Sequence, residues 1–540
     1  MRDMPPPATP EKSALGDPRE NFFYRLATAH GEQDKGKYNY YLPHKNRRFW
    51  NHWWYAKLKE GALNIEDEQR DFIKSNLSLE DKEPLTAEEN TLYRRIIAEI
   101  PEPEKLDIID FSGLRFKQKL VYNGFVFMLA CRFNGSIFEY SANFCYANFS
   151  GSADFSHASF GDFTNFAYTR FSDDTDFSHT RFSDDTDFLR ARFSGSADFS
   201  HTHFGDVTDF SLASFSDLTD FSHASFSGDT NFSHTRFSSK THFQRARFKQ
   251  EVTFEDAVFI PPKGTRHQLD ARSAVFEMRA DFSIDEARAA KECGLSANFE
   301  DAVFKERLDF RGRIFPTVPL FNGTNLTSNF HVPDHFDDWP KAGKETKDAT
   351  EYKEDLDAYS ELKRQMEQNK RDNLKQIFLY REYEARLGYE HTDPKTKLVL
   401  AFYRHLSDFG YSYTRPFILL CSLWCLSFLL HCFTVYTSAH ITCEKKASKA
   451  DFTCEYATER FSYDKPSPAL PRNSYTLARN SYSMERSAIA ATTGTLVINF
   501  GKLPPLSGWQ FALIATHKTL SALLLFLFGL GIRNRLRMNS

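Results

Sequence analysis

The chain has 540 residues, with 68 Lys and Arg against 72 Asp and Glu, a formal charge of −4. That balance gives no global nucleic-acid signal, and the length leaves room for several domains. Eight cysteines in 540 residues exclude a disulfide-built scaffold, while 54 phenylalanines point to a core of unusual uniformity.

Residues 1–45 are polar and proline-rich and are expected to be disordered. Residues 46–105 read as a helical cap. Phe49, Trp50, Trp53, Trp54 and Tyr55 cluster on a helix suited to docking on the open end of a stacked repeat, and Thr86 before Glu88 and Glu89 marks another helix start.

From Phe111 to Phe259 an aromatic residue recurs at steps of five and six, and Ala or Thr stands two residues before most of them, as at Ala153, Thr164, Thr175 and Ala197. A helix fails, because steps of five and six turn through about 140° and 240° and never share a face. A single strand fails too, since five residues reverse the face. Coils stacked upon coils satisfy the pattern, with the aromatic and small residues inside. Units such as Ala153-Asp154-Phe155-Ser156-His157 and Thr175-Asp176-Phe177-Ser178-His179 resemble the pentapeptide-repeat family. That resemblance implies a mainly β fold, a right-handed quadrilateral parallel β-helix of four units per coil, here over residues 106–330. Alternating five- and six-residue units make the coil 22 residues long, with insertions around 260–275 and 283–293.

A 22-residue coil stacks His157, His179, His201 and His223 in one column, Asp154, Asp176, Asp198 and Asp220 in another, and Arg170, Arg192 and Arg236 in a third. A linear row of imidazoles does not converge on a metal, so no metal site and no cofactor are expected. Some relatives within the resemblance are acidic rods that imitate DNA and bind topoisomerases. Residues 150–248 carry 14 acidic and 8 basic side chains, a net −6 interleaved with Arg, and DNA mimicry stays a minor alternative.

Residues 331–350 read as a linker, and 351–412 as a helical hairpin followed by an interfacial segment, from Lys397 to His405. Residues 413–437 and 509–533 read as two C-terminal transmembrane helices around an external loop, 438–486, with a short tail at 534–540. Basic residues favour both termini inside, which places the chain in the bacterial cytoplasmic membrane as a multi-pass protein. Cys443 and Cys454 would share an oxidising loop and pair as a disulfide. Residues 487–505 read either as an external loop packed on the bilayer surface or as a re-entrant segment, and the order of elements resembles the pore module of two-span potassium channels. Phe500 and Gly501 stand where that family has Tyr-Gly; Asn499 replaces a filter Gly and Lys502 an Asp, so the pore is degenerate. The pore-lining set would be Thr493, Asn499, Phe500, Gly501, His517 and Lys518. The segments 407–412 and 533–538 resemble bacterial pentapeptide-repeat membrane proteins with a two-span module. No phosphate loop, HExxH or Cys-x-x-Cys occurs, so no catalytic residues and no enzyme are expected. The leading function is a membrane-anchored cytoplasmic scaffold whose solenoid face binds a protein partner. The alternative is a homo-oligomeric channel-like protein; nucleic acid is not an expected partner.

Overall fold

In the computed structural model, the described residues are 15–538 apart from 35–37, 62, 64–66, 104, 261, 263–264, 286–293, 325, 327–329, 334–335, 342–348, 411, 439–440, 446–451, 457–458 and 464–507. The chain divides into two units, 1–346 with 354–370, and 347–353 with 371–540.

The first unit is a right-handed parallel β-solenoid with helical flanks. Four sheets form its sides. They begin at Ile108–Asp110, Arg115–Phe116, Leu120–Val121 and Val126–Phe127, and contain nine, nine, ten and seven strands. Most strands are two residues long, and each pairs with the strand 22 residues on, as Thr175 with Ala197 and Arg170 with Arg192. The step lengthens to 28 where the insertions fall, at Thr241 with Leu269 and Leu269 with Ala297.

The reason for the Phe period is plain inside the rod. Each Phe stacks face to face on its copy in the next coil, as Phe133 on Phe155 with ring centroids 4.8 Å apart and planes 1° apart. It meets a neighbour edge-on, as Phe155 meets Phe166 at 5.4 Å and 80°. Both geometries suit the aromatic quadrupole and add about 0.5–1.5 kcal/mol per pair beyond area burial. Inward threonines satisfy their own hydroxyls: Thr180 Oγ1 donates to the Phe155 carbonyl at 2.8 Å, and Thr235 to Phe210 at 2.7 Å. Alanine takes the same place at Ala158 and Ala224 with no polar atom to satisfy.

Both ends of the rod are covered. Helices α1 (Phe22–Ala27), α2 (Leu42–Glu60), α3 (Asp67–Asn76) and α4 (Ala87–Glu99) build the N-terminal flank. Trp50 Nε1 donates to the Val126 carbonyl at 2.8 Å, and Asn51 Oδ1 accepts from the Val126 amide at 2.9 Å. The first strand of the fourth sheet therefore presents no open edge at Val126. Thr86 and Glu89 cap α4 reciprocally. Residues before 46, expected to be disordered, instead supply α1, whose Phe22 and Phe23 are buried against Trp53 and Trp54. At the far end Trp339 stacks on Phe315 at 4.8 Å. Helix α5 (Ala349–Gln368) buries Tyr359, Leu362 and Met366, and Gln365 Nε2 donates to the Thr324 carbonyl.

The second unit is helical. It contains α6 (Asp372–Gly388), α7 (Pro394–Ser407), α8 (Thr414–Ser438) and α9 (Gly508–Met538), with an antiparallel three-stranded sheet from Ile441–Lys445, Phe452–Tyr456 and Glu459–Tyr463. Asp408, Phe409 and Gly410 all have positive φ, which turns the chain sharply between α7 and α8. Asn534 Nδ2 donates to the Gly410 carbonyl at 3.0 Å, so the stretches 407–412 and 533–538 meet.

Two transmembrane helices at 413–437 and 509–533 were expected, and this is corrected. Among the described residues no helix is long and apolar enough to cross a membrane. The apolar run of α8 begins just after Arg415. The apolar run of α9, from Leu520 to Ile532, starts just after Lys518, and Arg533 follows it.

Candidate functional site: the faces and corners of the solenoid

The coil turns through two kinds of corner. At the tight ones, one non-glycine residue per coil sits in the left-handed region. One corner runs His157, His179, His201, His223 and Arg245, with φ between 56° and 60°; the other runs Tyr146, Tyr168, Arg190, Leu212, His234 and Asp256, with φ between 55° and 60°. Such a conformation costs an L-residue roughly 1–2 kcal/mol, and the Asp of each repeat offsets it. Asp176 Oδ1 accepts from the Ser178 amide at 2.7 Å, and Asp187 from Leu189 at 2.7 Å, closing an Asx turn before each corner.

That bond decides what the acidic column can do. Asp154, Asp176, Asp198 and Asp220 each accept from the amide two residues on, at 2.7–2.9 Å, and stand half-buried. Their carboxylates hold the turn rather than project as a row of free charges. Burial raises the Asp187 carboxyl above the usual range.

The histidine column is a true ladder. His157 and His179 stack at 4.8 Å, and His179 on His201 and His201 on His223 at 4.6 Å, with planes 3–7° apart. Partial burial, then the neighbouring imidazoles, lower the pKa of His179 and His201. Parallel rings do not converge on one ion, and among the described residues the one His/Cys/Asp/Glu group with metal-ligand spacing is Asp184, Asp185 and Asp206 at a looser corner. All three carboxylates already accept backbone amides, Asp184 from Asp185 at 2.8 Å, and Asp185 and Asp206 both from Val207 at 3.1 Å.

The arginine column borders the other ladder. Tyr146 and Tyr168 stack at 4.7 Å, and the Arg190 guanidinium lies over Tyr168, 5.5 Å from the ring centre. One sheet residue away, Arg170 and Arg192 are direct partners in the fourth sheet, while Ser214 separates Arg192 from Arg236. Arg170 donates to Asn76 Oδ1 of α3 at 2.8 Å. These residues line a groove of about 510 Å³ between α3 and the rod, completed by Gly124, Val126, Asn148 and Leu212. Among the described residues, no carboxylate lines it.

Of the residues named from sequence, Arg170 and Arg192 belong to this groove and Arg236 does not line it. Tyr146, Tyr168 and Arg190 were not expected there, although they are spaced by the same 22 residues as the histidines. Thr493, Asn499, Phe500 and Gly501 lie outside the described residues. His517 is buried in α9 and Lys518 half-buried beside it. Cys443 and Cys454 are Cα partners in the three-stranded sheet.

The family described as pentapeptide repeats (9 copies) matches residues 133–181 and 210–258. Both stretches lie within the regular coils, and the match supports the repeat identity read from the five- and six-residue units. No curated protein and no solved structure matches the chain.

Proposed function

We propose that this pentapeptide-repeat solenoid is an interaction scaffold whose faces bind a protein partner. The observation that carries the reading is the division of labour in the repeat. In the regular coils Phe with Thr or Ala makes up most of the interior, so the outward positions are free to vary without touching the core. Surfaces of this kind offer rows of side chains about 4.8 Å apart over six to nine steps, which suits an extended interface better than a converging active site. The test is site-specific photo-crosslinking in cells from positions 146, 201 and 247 of the full chain. A discrete adduct from one column and not the others supports the scaffold; an adduct of dimer mass identifies a second copy as the partner. No adduct from any column overturns the reading.

A second reading concerns location and rests on α7. Leu398, Val399 and Phe402 are 60%, 65% and 59% exposed, beside exposed Lys395 and Arg404. An apolar row flanked by cations suits the surface of an anionic membrane. Flotation with phosphatidylglycerol vesicles measures it. Capture of the full chain, lost on Leu398→Glu with Phe402→Glu, is expected; retention of the double variant on the vesicles, or no capture of the parent chain, refutes it.

A further inference from the structure

We propose that the groove between α3 and the rod binds an acidic, aromatic-bearing peptide segment of a partner protein, laid along the rod axis. The inference rests on the scaffold reading and supplies the partner's chemistry.

Four features of the groove lead there. First, its charge is one-sided. Arg170, Arg190 and Arg192 all line it, and among the described residues none of the lining side chains is acidic. Arg170 and Arg192 are adjacent in register, an arrangement of like charges that a sheet ordinarily avoids. Arg170 gives its side-chain bond to a neutral amide, Asn76 Oδ1. A carboxylate between the two guanidinium groups would relieve this repulsion and accept from both, in the geometry for which Arg forks are suited.

Second, the groove has an apolar half. Tyr146 is 59% exposed and Leu212 is 43% exposed, both large values for such side chains in a rod whose interior is otherwise closed. The rung below Tyr146 in its column is Gly124, which carries no ring to stack upon it; the Arg47 side chain passes over Gly124, its Cδ 3.0 Å from where a Cβ would stand. Tyr168 is covered by Tyr146 on one face and by the Arg190 guanidinium on the other. Tyr146 stacks on Tyr168 by one face, and an incoming aromatic ring would extend the stack from its other face, beside the Arg47 side chain or in its place.

Third, the shape is elongated. Gly124, Tyr146, Tyr168, Arg190 and Leu212 are successive rungs of one corner, four coil steps or about 19 Å from end to end. An extended peptide of about six residues covers that length. A compact ligand such as a single nucleotide would leave most of it empty.

Fourth, the order of chemistry along the strip is fixed. The aromatic slot lies at the Tyr146 end, the three guanidinium groups come after it, and Leu212 closes the series. A matching segment therefore places its aromatic residue first and its carboxylates within the next few residues, or the reverse in the opposite chain direction.

The experiment is isothermal titration of the full chain with an acetylated hexapeptide of one tryptophan followed by glutamates. Its comparators are the same peptide with lysines in place of the glutamates, and a hexathymidylate. The acidic peptide is expected to bind, to weaken as salt rises from about 50 to 300 mM, and to lose about tenfold or more in affinity in the Arg190→Glu, Arg192→Glu variant. Tyr146→Ala should cost about three- to tenfold. Arg181→Glu with Arg247→Glu, an equal charge change on the second sheet, should stay within about twofold and controls for net charge and folding. Binding of the lysine peptide with equal affinity, preference for the hexathymidylate, or an unchanged affinity in the double variant would each overturn the proposal. Should the groove fail while photo-crosslinked adducts still form from other columns, the scaffold stands and only its partner's chemistry is wrong.

Discussion

The two tight corners of the solenoid share a backbone and differ in everything that backbone carries. Both hold one left-handed residue per coil, both stack rings at 4.6–4.8 Å, and both are closed by an Asx turn. Yet one repeats histidine four times, while the other passes through Tyr, Tyr, Arg, Leu, His and Asp. The spacing, then, is set by the coil and not by the side chains. Uniformity in the first column requires nothing beyond copying of a unit. The variety of the second shows that the fold tolerates aromatic, aliphatic, basic and acidic groups in the same strained position. A groove with its own chemistry can therefore arise there at little structural cost.

The largest test of that comparison strikes what both corners depend on. Phe188→Ala removes a ring stacked on Phe166 at 5.0 Å and on Phe210 at 4.7 Å, and should cost about 3–5 kcal/mol in chemical denaturation. A loss below about 1 kcal/mol would mean that the corners, not the rings, hold the rod together.

The next contrasts the regular coils with the insertion at 260–268. His267 lies there with neither ring nitrogen hydrogen-bonded, and burial followed by the Arg266 charge lowers its pKa to about 4. Its folded pKa is below the unfolded value, so the unfolded state binds the proton more readily. Stability is fully present above about pH 6.5 and is lost as pH falls toward 4, by on the order of 2–3 kcal/mol. Denaturation midpoints at pH 7.5 and 4.5 should converge in His267→Leu. The ladder residues His179 and His201 are shifted in the same direction by milder burial and by their neighbours, with Asp176, Asp198 and Asp220 opposing. A pH slope unchanged by His267→Leu would move the effect to the ladder.

A smaller effect asks whether the corners are equivalent. A β-branched residue is costly at positive φ, and His201→Ile and Leu212→Ile should each lose about 1–2 kcal/mol. Unequal losses would break the claim that the backbone alone sets the corner. Smallest is Thr180→Val, which keeps the volume but removes the bond to the Phe155 carbonyl, worth about 1 kcal/mol by thermal denaturation.

The solenoid could be read from the chain because its signal is repeated: a five-six step recurring from Phe111 to Phe259 cannot be a helix or a flat strand. The docking face of α2 could be read as well, since Trp50, Trp53 and Trp54 stand within five positions. What stayed hidden depends on single residues without periodicity. Phe22 and Phe23 sit in a polar stretch, so composition argued for disorder, whereas a stacked contact of Phe23 with Trp54 at 6.2 Å anchors them. Arg313, of a residue type that ordinarily stays exposed, is wholly buried. The membrane spans were read from apolar runs in the sequence, and among the described residues no helix is long and apolar enough to cross a membrane. The groove falls between these cases. Arg170 and Arg192 were visible as a column, but the tyrosine column beside it shows only when the 22-residue count is started from Tyr146. Asn76 comes to it from a helix 94 positions earlier.

Arg313 carries a consequence for how the molecule counts. In the regular middle every coil offers the next the same strands, rings and turns, so a chain that paired one coil out of step would forfeit very little. The middle cannot correct such a slip, because it has no landmark. The landmarks are at the ends. Trp50 and Asn51 recognise Val126 in the early coils. Arg313 reaches inward to the carbonyls of Ala257 at 2.8 Å and Phe254 at 3.1 Å, and also bonds Phe282, joining three coils at the place where the step changes to 28. The number of coils between these fixed points is thus a heritable length, altered only in whole units. Deleting 22 residues from the middle shortens the ruler by one division; deleting 11 would join the remaining half to the opposite side, turning the histidine edge to where the tyrosine edge had been.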